Sequence, residues 1–87
     1  MELQQQFEAA VANSKTLSEK PDNETLLQLY SLYKQATEGD CSSDQAPANP
    51  FDFVAKFKYD AWQKLTGTSS ADAMQQYIQL VTRLKGG

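Results

Sequence analysis

Apolar residues recur at helical spacing in four stretches of this chain, and three breaks, at Pro21, at Gly39 to Pro50 and at Gly67, separate them. A helix that is apolar along one stripe must bury that stripe against another element, so the pattern restricts the chain to a packed helical fold. The first stretch runs from about Leu3 to Lys15, with Leu3, Phe7, Ala10, Val11 and Ser14 on one stripe. After Pro21, Asp22 or Asn23 supplies a cap for a second helix reaching about Thr37, with Gly39 placed to end it. "DCSSDQAPANP", from Asp40 to Pro50, has two prolines and no periodicity and reads as a loop. Asp52 then caps a third helix, Phe53 to Thr66, closed by Gly67. Ser69 with Asp72 three residues on makes a start resembling a capping box. The fourth helix carries Met74, Tyr77, Ile78, Val81 and Leu84. The expectation is one all-α domain, residues 1–87, folded as a four-helix bundle.

Composition narrows the function. Hydrophobic residues at 40% and charged residues at 22% fit a soluble globular domain. The start "MELQQQFEAA" lacks the features of a secretory signal, and no apolar run is long enough to cross a bilayer. Cys41, the only cysteine, allows no internal disulfide and, away from any base or cationic cluster, is expected to be inert. An intracellular, cytoplasmic monomer is expected. The absence of histidine removes the usual general base and the commonest metal ligand, so no metal is expected. No glycine-rich phosphate loop is present. A net charge of −3 argues against a nucleic-acid partner. A non-catalytic binding module is the expected class.

The helical wheel places two nonpolar faces on the second helix. At about 100° per residue, Thr25, Leu29, Leu32 and Ala36 share one face. Leu26, Leu27, Tyr30, Tyr33 and Lys34 share another, which either covers a neighbouring element or forms an open groove that is apolar, then aromatic, then cationic. On the third helix Lys58 projects from the side of Val54, Ala61, Trp62 and Leu65, inside the apolar stripe. Such a lysine either snorkels to water or meets a buried anion, which a protein carboxylate or a ligand could supply. Tyr77 sits among Ala73, Met74, Leu80, Val81 and Leu84, as a core residue whose hydroxyl needs a partner. Trp62 reads as a core anchor, and Lys15 as either a rim lysine or a ligand contact.

"YKQATEGD" (Tyr33 to Asp40), "KYDAW" (Lys58 to Trp62) and "LTGTSSADAMQQYI" (Leu65 to Ile78) together resemble the acyl-coenzyme A-binding protein family, in order and at near-constant spacing. The resemblance implies an up-down-down-up four-helix bundle. It implies binding of medium- and long-chain acyl-CoA thioesters without chemistry on them, as a pool former and carrier in lipid metabolism. It implies no cofactor, no stable membrane insertion, and transient contacts with enzymes that use acyl-CoA. By position, Tyr30 and Lys34 match contacts to the nucleotide, and Lys34 and Lys58 match lysines that meet the 3′-phosphate. Tyr33 matches an aromatic beside the adenine, Tyr77 a head-group contact, and Lys15 a lysine near the phosphates. Leu26, Leu27 and Phe57 lie where the family lines the path of the acyl chain.

The chain departs from the family pattern at several points. Tyr59 replaces the first tryptophan of the usual motif, Glu38 stands where a small apolar residue is common, and the loop from Cys41 to Phe51 is longer and more acidic. The basic tail is reduced to Arg83, Lys85 and two glycines. The alternative to a carrier is a helical interaction module whose second-helix face docks a partner helix.

Overall fold

The computed structural model describes residues 2–17, 19–41 and 46–86. Its elements are α1 (Leu3–Ser14), α2 (Asn23–Glu38), α3 (Phe53–Gln63) and α4 (Ser70–Gly86), with no strand among the described residues. Residues 42–45, the part of the α2–α3 loop whose acidity the sequence singled out, lie outside the described residues.

Three of the starts are capped where the sequence places the caps. Asp22 Oδ1 accepts from the Thr25 amide at 2.8 Å, Asp52 Oδ1 from Ala55 at 3.1 Å, and Ser69 Oγ from Asp72 at 3.1 Å. Each bond satisfies an amide that the first helical turn leaves without an intrahelical partner. Gly39 ends α2 at φ 83°, a left-handed conformation that only glycine adopts without steric cost.

Helix α3 is shorter than its sequence pattern predicts: it stops at Gln63, not Thr66. The amides of Leu65, Thr66 and Thr68 each bond three residues back, to Trp62, Gln63 and Leu65, so the chain tightens into successive turns. Gly67, at φ 93°, completes the reversal, which must be finished before α4 begins at Ser70.

The core consists of Phe7 and Ala10 from α1, Leu29, Leu32 and Ala36 from α2, and Ala73, Tyr77 and Val81 from α4. Thus α4 packs against both α1 and α2, and α3 packs on the outer flank of α2. Contacts at the ends of the helices give their directions. Phe7, early in α1, stacks on Tyr33, late in α2, so these two run antiparallel. Leu26 and Leu27 lie beside Val54 and Phe57, and Gly39 meets Trp62, so α2 and α3 run parallel. Gln35 reaches Thr68, just before α4, so α4 runs antiparallel to α2. The order is up-down-down-up.

A polar latch joins the end of α2 to the α3–α4 turn. Gln35 is fully buried, and its amide nitrogen donates to Asp40 Oδ1 at 2.8 Å and to the Thr68 carbonyl at 2.7 Å. The Gly67 amide donates to the same Asp40 oxygen at 2.9 Å, and the Trp62 indole donates to the Gly39 carbonyl at 2.9 Å. The two bonds of the Gln35 nitrogen fix the register of the segments that they join, while its Oε1 is buried with no hydrogen-bond partner among the described residues. Gln35→Ala removes two of these bonds and leaves a cavity. We expect a loss of about 2–4 kcal/mol in urea unfolding followed by circular dichroism.

Asp40 is held below its ordinary value of 3.8 by the Gly67 amide and then by the Gln35 amide. Its contribution is therefore complete above 3.8 and is lost as pH falls through the lower folded-state value. Acid titration of stability should show this loss in the wild type, and Asp40→Asn should flatten that part of the curve.

Candidate ligand-binding site

α1 and α2 each pack on α4 and meet one another at the Phe7–Tyr33 stack, and beside that contact the face between them is open. Tyr77 of α4 forms its floor. The ring is buried, meets Phe7 edge-on at 5.2 Å between centroids, and donates its hydroxyl to Ser14 Oγ at 3.1 Å. Ser14 in turn donates to the Val11 carbonyl at 2.7 Å, so the hydroxyl that Tyr77 needs is supplied by the polar member of the α1 stripe.

Two adjoining hollows occupy this side of the molecule. One, of about 300 Å³, is lined by Val11, Ser14, Lys15, Leu26, Leu29, Tyr30, Tyr33 and Tyr77. The other, of about 540 Å³, lies between the N-terminal halves of α2 and α3 and is lined by Asn23, Glu24, Leu26, Leu27, Val54, Phe57 and Lys58. Leu26 borders both, so the two hollows adjoin along α2 and together make up one grooved face, each within the size range of small-molecule sites. Its α3 end is apolar, and its α1 end carries three phenols and a lysine. The ammonium of Lys58 lies 5.1 Å from the centre of the Tyr30 ring, a cation–π contact at the junction of the two ends.

Eight of the nine residues singled out from the sequence line this groove: Lys15, Leu26, Leu27, Tyr30, Tyr33, Phe57, Lys58 and Tyr77. Lys34 does not. It forms an ion pair with Glu38 one turn further along α2, and its ammonium lies 5.3 Å above the Trp62 ring. Glu38 raises the Lys34 pKa through this bond.

Of the two alternatives for Lys58, reaching water or meeting a buried anion, its exposure favours the first. Lys58 is exposed, Val54 is 63% exposed, and Trp62 is the buried residue of α3. The C-terminal half of α3 carries the packing while its N-terminal half stands off α2, so the stripe divides into an anchored part and a groove wall. Lys58 is a rim lysine that meets no burial penalty. Val54, placed by the sequence on the apolar stripe, belongs to that wall. Cys41 is half-buried, and burial pushes its thiol up, which disfavours the reactive thiolate.

Residues 4–81 match the family model described as "Acyl CoA binding protein". The chain is 45% identical to an acyl-CoA-binding protein of Dictyostelium discoideum, over 90% of each. The chain belongs to the acyl-CoA-binding protein family. A homologue from Manduca sexta is 42% identical over 97% of this chain and 92% of its own length. The crystal structure of Oryza sativa acyl-CoA-binding protein 2 superposes with a TM-score of 0.86 at 40% identity, covering 95% of this chain and 90% of that one. A similar segment also occurs in a longer protein. Enoyl-CoA delta isomerase 2 of Rattus norvegicus is 47% identical over 93% of this chain, which spans only 20% of that protein's length. Acyl-CoA binding is thus the family property, and no helix among the described residues is long and apolar enough to cross a membrane.

For a member of this family, the Tyr77–Ser14 bond keeps the floor of the groove in place. Tyr77→Phe keeps the ring and removes the hydroxyl. It should cost about 1 kcal/mol and lower the melting temperature by about 4–8 °C in a thermal scan.

Proposed function

We propose that the protein binds medium- and long-chain acyl-CoA thioesters in the α1–α2–α3 groove and carries them without reacting with them, as a cytoplasmic monomer. The observation that supports this reading is the adjacency of the two hollows at Leu26, an apolar one walled by Leu27, Val54 and Phe57 beside one that holds Lys15, Tyr30, Tyr33 and Tyr77. An acyl-CoA has the matching form, a long apolar chain joined to a polyanionic head. Burying about a dozen methylenes at roughly 0.8 kcal/mol each yields on the order of 10 kcal/mol before ordering costs. Lysine–phosphate contacts at an exposed rim are individually weaker, but they orient the head and discriminate against a free fatty acid.

On this reading Lys15 and Lys58 meet phosphate oxygens where they stand, while Lys34 must leave Glu38 to do so. Tyr30 and Tyr33 offer ring faces to the adenine, and Leu26, Leu27 and Phe57 line the chain. A second observation favours brief docking on enzymes that consume the ligand. Val54 and Phe57, which line the chain end of the groove, are 63% and 55% exposed, and Phe51 and Phe53, close to them in sequence, are 79% and 60% exposed.

Isothermal titration calorimetry with palmitoyl-CoA, free CoA and palmitate tests the proposal. One-to-one binding of the thioester with both fragments much weaker is expected, and Lys58→Ala should weaken thioester binding about three- to tenfold with helicity intact. Thioester binding no tighter than palmitate binding would overturn the reading. A module that docks a partner helix would then be the better account, recognised by concentration-dependent association in light scattering.

A further inference from the structure

Glu38 is placed to act on the groove through Lys34. It is the last residue of α2, and no basic residue occupies that last turn. A carboxylate there faces the negative end of the helix dipole. Its partner Lys34 lies four residues toward the N-terminus, which is the weaker order for an ion pair of this spacing. The pair is also open to solvent, with side chains 25% and 45% exposed. This is an ion pair that a more highly charged anion can displace. While it is closed, the ammonium stays over Trp62 and lines neither hollow of the groove.

We propose that Glu38 is a built-in competitor for the ligand phosphate at Lys34, so that it sets the affinity and the salt dependence of head-group binding. The inference rests on the reading that Lys34 meets a ligand phosphate. Phosphate binding at Lys34 either breaks the pair with Glu38 or, since an ammonium has three donors, brings two anions to one lysine, and both outcomes oppose binding. Glu38→Gln keeps the side chain's size and hydrogen-bonding capacity while removing both costs.

Calorimetric titration of palmitoyl-CoA into wild type, Glu38→Gln, Lys34→Ala and the double variant separates this inference from the reading beneath it. Lys34→Ala should weaken binding. Glu38→Gln should tighten it by about two- to tenfold at low salt. That gain should vanish in the Lys34→Ala background. It should also shrink toward 1 M salt, where the screening length falls to about 3 Å. Weaker binding in Lys34→Ala with unchanged or weaker binding in Glu38→Gln would overturn the competitor role alone. The same holds if Glu38→Gln tightens binding equally without Lys34, since the effect would then be one of general charge. Unchanged binding in Lys34→Ala would overturn the role of Lys34 and the inference with it.

Discussion

The groove depends on the Tyr77 ring wedged beneath two helices. A smaller side chain at this point of α4 would leave a hole under Phe7 that α1 and α2 could close only by moving together. With the ring in place, edge-on to Phe7 and bonded to Ser14, α1 rests on α4 and touches α2 at the Phe7–Tyr33 stack, with the hollow over Tyr77 left between them. The open face is therefore a consequence of good packing below it. A core residue and a groove floor are here the same side chain, and its hydroxyl has a partner inside the protein.

A second constraint operates at the other end of α2. The stretch "YKQATEGD" divides its residues between two tasks. Tyr33 faces the groove, while Gln35, Gly39 and Asp40 form the latch that holds α2 to the α3–α4 turn and to Trp62. Lys34 lies between them, over Trp62 and against Glu38. Much of what makes this motif distinctive is thus a requirement of folding, set by the two bonds that the buried Gln35 nitrogen donates.

Local features were legible in the residues and distant ones were not. The caps at Asp22, Asp52 and Ser69 and the stop at Gly39 follow from bonds within one turn, and the structure has them where the spacing puts them. The second face of α2 was visible as a face, but a wheel does not show whether a neighbour covers it. The latch went unread because Gln35 bonds a carbonyl 33 residues away, and a buried glutamine looks like any surface glutamine in a sequence. The exposure of Val54 and the choice between the two readings of Lys58 were hidden for a related reason. Helical periodicity reports a shared direction, and α3 uses that one direction for burial at Trp62 and for a groove wall at Val54.

Hollows elsewhere among the described residues make the location of binding a sharp test. One, of about 490 Å³ between α1 and α4, is lined by residues including Gln6, Asn13 and Lys85, and another, of about 380 Å³ between α2 and α4, by Gln28, Gln76 and Arg83. A third, of about 390 Å³, shares Val11, Lys15 and Tyr33 with the groove and extends it along α1. The decisive measurement is a nitrogen–proton correlation spectrum of the labelled protein titrated with palmitoyl-CoA. The account predicts the largest shifts at Lys15, Leu26, Leu27, Tyr30, Tyr33 and Lys58, with little change at Gln6, Gln76 and Lys85. Shifts concentrated on the α1–α4 or α2–α4 side would contradict it.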